Sequence, residues 1–153
     1  MTKMNLNDLE WRERKSPKGK YHLFYGDISA GLGARKGEGP GHPLDIGMVR
    51  MPPGATNYPK HAHRTQWEFY VVVSGRGRVN VNDETREVQT GDCFVQPPGN
   101  AHQIVNTGEE DLVYYIISNN AGTDVVQYPD SGKWAAAGKC FRMQEANYYD
   151  GEE

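Results

Sequence analysis

The sequence has no run of apolar residues approaching the roughly 18 that a membrane-crossing helix needs. Its start, MTKMNLNDLEWRER, is polar and mixed in charge, so no secretory leader is expected. Cysteine is scarce: Cys93 and Cys140 cannot make a disulfide framework. Basic charge is not in excess either. Lys and Arg number 17 against 20 Asp and Glu, a net charge of -3, which argues against a protein built to hold nucleic acid. No window carries an amphipathic pattern of about 12 residues or more, so long helices are not expected. There is no Gly-x-Ser-x-Gly elbow, and Ser-His-Asp chemistry therefore has no support. What these absences leave is a soluble, cytoplasmic domain with neither a membrane nor a nucleic acid as partner.

Glycine and proline, by contrast, are plentiful, at 18 and 9 of 153 residues. From residue 45 they punctuate a series of short apolar runs: 45–51, 68–74, 77–83, 85–90, 92–96, 102–106 and 111–118. Strands this short and evenly spaced predict an all-β, antiparallel sandwich or barrel. Residues 20–29 read as one further strand, and WAAAGKCFRM near the end as a helical turn or two. The Gly-dense stretch 31–43 lacks the ending and the strand-to-helix setting of a phosphate loop, and reads as a surface loop or a lid. The division expected is an arm (1–19), a single barrel domain (20–134, with its core at 45–118) and a tail (135–153).

Four residues carry chemistry by type and spacing: His61, His63, Glu68 and His102. On an extended backbone His61 and His63 point to the same side. Glu68 heads the most apolar strand, where an unpaired carboxylate is costly and a metal ion would satisfy it. His102 follows a Pro-Pro-Gly turn that can aim its ring. Three imidazoles and one carboxylate suit a divalent Fe, Mn, Ni, Cu or Zn ion and leave positions open for a substrate. His22 and His42, standing alone, read as packed or hydrogen-bonded.

Residues 61–75, HAHRTQWEFYVVVSG, resemble the first motif of the cupin superfamily, and residues 91–106, GDCFVQPPGNAHQIVN, resemble the second. The second motif is matched at Gly91, Pro97, Gly99, His102 and Asn106. One departure is Gly54, which is separated from His61 by six intervening residues where the family usually has five. The resemblance implies a double-stranded β-helix, the jelly-roll barrel, holding one metal ion on His61, His63, Glu68 and His102. A narrower resemblance, to small single-domain cupins, rests on WRERKSPKGKY, WEFY and the ending VVQYPDSGKW. It implies no particular reaction.

Strand parity places Tyr70 and Val72 on the same face as Glu68, with Trp67, Phe69 and Val71 on the other. Tyr58, Lys60, Gln66, Tyr70 and Gln96 are expected pocket-lining residues, and Cys93 is expected in the core. The function expected is a metal-dependent enzyme on a small organic substrate, acting as a dioxygenase or as a Lewis-acid isomerase or decarboxylase. The alternative is a metal-dependent binding protein for a sugar or a carboxylate. The apolar outer face at Phe69 and Val71 predicts a homodimer.

Overall fold

A computed structural model describes residues 2–34, 43–119, 121 and 123–152. Most of the Gly-dense stretch, residues 35–42, lies outside them, as does His42. Thirteen strands are described, with one short helix between the second and third. They are β1 (Trp11–Lys15), β2 (His22–Asp27), β3 (Leu44–Met51), β4 (Ala62–His63), β5 (Glu68–Ser74), β6 (Arg76–Val81) and β7 (Glu84–Gln89). After them come β8 (Cys93–Gln96), β9 (His102–Asn106), β10 (Leu112–Asn119), β11 (Val126–Tyr128), β12 (Lys133–Ala136) and β13 (Lys139–Phe141). The helix α1 (Ile28–Gly31) is a single turn capped by the Asp27 side chain.

The strands form an all-β, antiparallel double-stranded β-helix. One sheet runs β1-β2-β3-β10-β5-β8. Opposite it lie β13-β12-β11-β4 and β7-β6-β9, which are joined by a single bridge between His61 and His102. Leu23, Val49, Met51, Tyr70, Val72 and Tyr114 of the first sheet pack against Val79, Val88 and Ile104 of the second. The period-2 burial of β5, with Glu68, Tyr70 and Val72 inside, is what strand parity requires.

The turns use the glycines where no other residue fits. Gly75 sits at φ 84, and a Cβ there would stand 2.5 Å from the Asp111 carbonyl oxygen. Asn106 is buried and acts as a latch. Its Nδ2 donates to the Met51 and Glu110 carbonyls, both at 2.8 Å, and its Oδ1 accepts from Gly108 N at 2.9 Å.

Three expectations differ from what is found. WAAAGKCFRM is not helical: β12 and β13 form a hairpin through Ala137 (φ 48) and Gly138 (φ 74), the pair of positive angles a two-residue turn needs. Cys93 is exposed rather than buried, because it pairs with Val71 on the outer face. Residues 20–29 are not strand throughout, since the chain leaves β2 at Asp27 and turns into α1. Ahead of β2, residues Trp11–Lys15 pair along it in register from Trp11↔Gly26 to Lys15↔His22. No described helix is long and apolar enough to cross a membrane.

Candidate metal centre

Backbone pairing brings the distant histidines together. His61 N donates to the His102 carbonyl at 3.1 Å, and His102 N donates back to the His61 carbonyl at 2.8 Å. Residues that exchange both bonds across an antiparallel pair present their side chains on one face. The two imidazole centroids are accordingly 4.7 Å apart. The Pro-Pro-Gly turn is fastened to the same place, since Gly99 N donates to the His63 carbonyl at 2.8 Å. Glu68, the first residue of β5, reaches this point from the facing sheet.

Each histidine has one ring nitrogen committed away from the centre. Nδ1 of His61 donates to the Pro59 carbonyl at 2.9 Å, and Nδ1 of His102 to the Asn100 carbonyl at 3.0 Å. Nδ1 of His63 donates to Asp124 Oδ2 at 2.5 Å. These oxygens can only accept, so the Nδ1 proton is fixed and each neutral ring has a bare Nε2. His102 Nε2 stands 2.8 Å from Glu68 Oε2, and His63 Nε2 stands 3.4 Å from Oε1. A bare nitrogen facing a carboxylate oxygen requires a cation between or beside them, either a proton or a metal ion. Ligand atoms of His61, His63 and Glu68 all lie within 4.8 Å of one another.

The electrostatics follow from burial and these contacts. Burial pushes His61 down to about 4, with the neighbouring His102 and His63 adding to the effect. Burial would lower His63 too, but Glu68 and Asp124 outweigh it and the group is raised. Burial would raise Glu68, yet the bonds from His102 and His63 hold it well below the usual carboxylate range. Tyr70, fully buried, donates its hydroxyl to Glu68 Oε2 at 2.8 Å. Burial, then the Glu68 charge, raise the Tyr70 phenol well above its ordinary value, so it remains a proton donor.

A cavity of about 440 Å³ opens over His61, His63 and Glu68. Of the residues expected to line it, Tyr58 and Gln66 do. The Lys60 ammonium instead bonds the Asn82 carbonyl, and Tyr70 lies beneath Glu68. Gln96, the cross-strand partner of Glu68, borders a second cavity of about 520 Å³ beside β6 and β7, with its Oε1 unpartnered among the described residues. His22 is satisfied at the surface by Glu13 at 2.8 Å.

Several residues at the centre carry no spacing signal in the sequence. Asp124 holds His63, and its other oxygen accepts from Arg64 N (3.1 Å), Thr65 N (3.0 Å) and Thr65 Oγ1 (3.1 Å). Tyr128 stands 6.2 Å from the His61 ring, centroid to centroid. The one sequence signal for that wall is the VVQYPDSGKW ending, which contains Tyr128 and Lys133.

A family model described as a cupin domain matches residues 47–118. A protein of Streptomyces coelicolor is 34% identical over 76 residues, which are 49% of this chain and 70% of that protein. The chain belongs to the cupin superfamily. The cupin fold is also that of a solved structure from Silicibacter pomeroyi, named a sugar phosphate isomerase. It superposes with a TM-score of 0.75 at 22% identity, covering 97% of this chain and 94% of that one. An oxalate-binding protein of Thermotoga maritima is 29% identical over 69 residues, 45% of this cupin. The chain spans about half the length of the first curated relatives it matches, 56% for the oxalate-binding protein.

Proposed function

We propose that this cupin is a metal-dependent enzyme acting on a small, oxygen-rich organic molecule, with His61, His63, Glu68 and His102 as the metal ligands. The observation that carries the reading is the shared orientation of the three imidazoles. All three are fixed through Nδ1, which leaves Nε2 of His63 and His102 beside the buried Glu68, while His61, His63 and Glu68 line the cavity. That donor set suits Fe, Mn, Ni, Cu or Zn. When bound, such an ion polarises a carbonyl or hydroxyl oxygen, and a redox-active one also handles dioxygen.

The walls favour the Lewis-acid class over the dioxygenase class. Tyr58, Gln66, Ser118 and Tyr128 present hydroxyl and amide groups suited to a hydroxylated substrate. Burial raises the Tyr58 phenol against the opposing effect of Arg14, so Tyr58 is a proton donor at neutral pH rather than a base. Tyr70 and Asp124 touch no substrate in this reading: they orient Glu68 and His63. The sugar phosphate isomerase and oxalate-binding names of similar proteins support a small substrate with several oxygens. The second of those names also favours the other reading, in which the ligand is held without turnover. Cys93 and Cys140, free and exposed, suit a reducing compartment such as the cytoplasm.

Native purification followed by elemental analysis tests the reading. About one equivalent of a transition metal is expected, and the His61→Ala, His63→Ala double variant should lose it. Less than about a tenth of an equivalent in the wild-type protein sinks the metal reading. Isomerisation or decarboxylation of small hydroxy acids or sugar phosphates without oxygen uptake supports the Lewis-acid class. Stoichiometric binding without product supports the binding reading.

A further inference from the structure

Two cations that line the cavity take no part in the candidate metal centre. Arg14 and Lys133 both line it, and both lie outside the stretch 47–118 matched by the family model. Arg14 is carried by β1, where it pairs with Leu23 of β2. Its Nη1 donates to the Tyr58 hydroxyl at 3.1 Å, and its guanidinium carbon stands 4.4 Å from the Tyr25 ring centroid. Lys133 opens β12 opposite Tyr128, and its ammonium lies 5.5 Å from that ring's centroid. The rings of Tyr58 and Tyr128 each stand 6.2 Å from the His61 ring. One cation is thus mounted on each of the two tyrosines that neighbour His61.

Neither cation makes an ion pair with a carboxylate among the described residues. The acidic groups of the same cavity, Asp27, Asp45 and Glu68, each have other partners. Asp27 accepts from Ala30 N at 2.9 Å, Glu68 is bound to His102 and Tyr70, and Asp45 has a partner of its own. An aromatic face orients a cation but leaves its charge uncompensated. Asp27 and Asp45 keep their own charges on the same wall, so the two cations act by direct contact, and the planar fork of arginine matches two oxygens of one group.

We propose that Arg14 and Lys133 form an oxyanion subsite, which takes the phosphate or carboxylate of a substrate whose hydroxyl or carbonyl end lies at His61, His63 and Glu68. The far end of that substrate rests on the function proposed above; the subsite itself does not, because its occupancy is measured without turnover. It assigns the choice of substrate to β1 and β12 rather than to the motif strands.

The test titrates the purified protein, in a buffer free of other multivalent anions, with two probes. Inorganic phosphate stands for a phosphate group and lactate for a carboxylate, with binding followed by calorimetry. Arg14→Gln and Lys133→Gln are each expected to weaken the preferred probe about tenfold or more, the loss of one charge-assisted contact. Arg14→Lys should recover part of the loss. Metal content, measured on the same samples, should equal that of wild type, so a failure of the metal reading and a failure of the subsite are told apart. Whichever probe weakens in the variants names the anion. If the Arg14→Gln, Lys133→Gln double variant binds both probes as tightly as wild type, the subsite does not exist.

Discussion

Replacing Asp124 by Asn exchanges one oxygen for an NH₂ group and reverses the polarity of the bond that holds His63. In the native protein one Asp124 oxygen accepts from Arg64 N, Thr65 N and Thr65 Oγ1, while the other accepts from His63 Nδ1 at 2.5 Å. Asn has a single acceptor, and two backbone N–H donors on the loop compete for it against one on the ring. Its oxygen therefore stays on the loop and its NH₂ faces Nδ1. The ring answers by moving its proton to Nε2, the atom 3.4 Å from Glu68 Oε1, where a proton excludes a metal bond. Removing an outer partner of a ligand histidine costs about 10- to 100-fold in metal affinity, or about 1.4–2.7 kcal/mol. The fold should survive, because the contacts to Arg64 and Thr65 remain. Chelator competition measures the affinity, and nitrogen-15 shifts of the metal-free ring at a pH where it is neutral report the tautomer. Unchanged affinity within about twofold, or a ring that keeps its Nδ1 proton, refutes the argument.

Further outcomes follow from other contacts. His61 has a depressed folded value near 4 against an ordinary 6.5, so between these pH values the unfolded chain binds a proton that the native chain does not. This group should therefore cost metal-free protein up to about 3 kcal/mol as pH falls from about 6.5 to about 4. His63 is raised and acts oppositely, so the comparison is wild type minus His61→Gln in denaturant titrations at each pH; a difference independent of pH rejects it. Gly75→Ala should lower stability by about 2 kcal/mol and the melting midpoint by about 4–8 °C, because φ is positive and Asp111 O stands in the way. A calorimetric midpoint equal to wild type would remove that reason for the glycine. Phe69 and Val95 pair across β5 and β8, are 40% and 48% exposed, and stand next to Trp67 at 51%. Light scattering at micromolar concentration should give twice 17.2 kDa, and Phe69→Asp should give a folded monomer; a monomeric wild type ends the homodimer proposal.

The legible parts of this protein are those whose signal is local. Strands 68–74 and 102–106 have the bounds that their apolar runs and turn residues indicate, because both are buried on one face and closed by Gly or Pro. The inward face of β5 follows from alternation alone. The C-terminal hairpin was not legible because its alanines favour a helix in isolation, while pairing of β12 with β11 and β13 overrides that preference. Cys93 misleads for a related reason: small sulfur-bearing residues are usually buried, but register with Val71 puts this one outside. Trp11–Lys15 carries charge at four of its five positions, so its pairing along β2 leaves no apolar alternation to read.

The same distinction separates the two halves of the site. The four candidate ligands come from residues 61–102, and their convergence is enforced by backbone bonds between His61 and His102 and by the position of Glu68 at the start of β5. Such contacts depend on register, which the motif spacing encodes. The walls are different: Arg14 precedes the motifs by more than 40 residues, and Asp124, Tyr128 and Lys133 follow His102 by more than 20. No spacing rule links these side chains, because each arrives on a strand or loop whose placement is set by tertiary packing. It follows that sequence alone can point to a cupin with a candidate metal centre without pointing to its substrate. Substitutions within the motif strands should change whether a metal is held, whereas substitutions at Arg14 or Lys133 should change which molecule is held beside it.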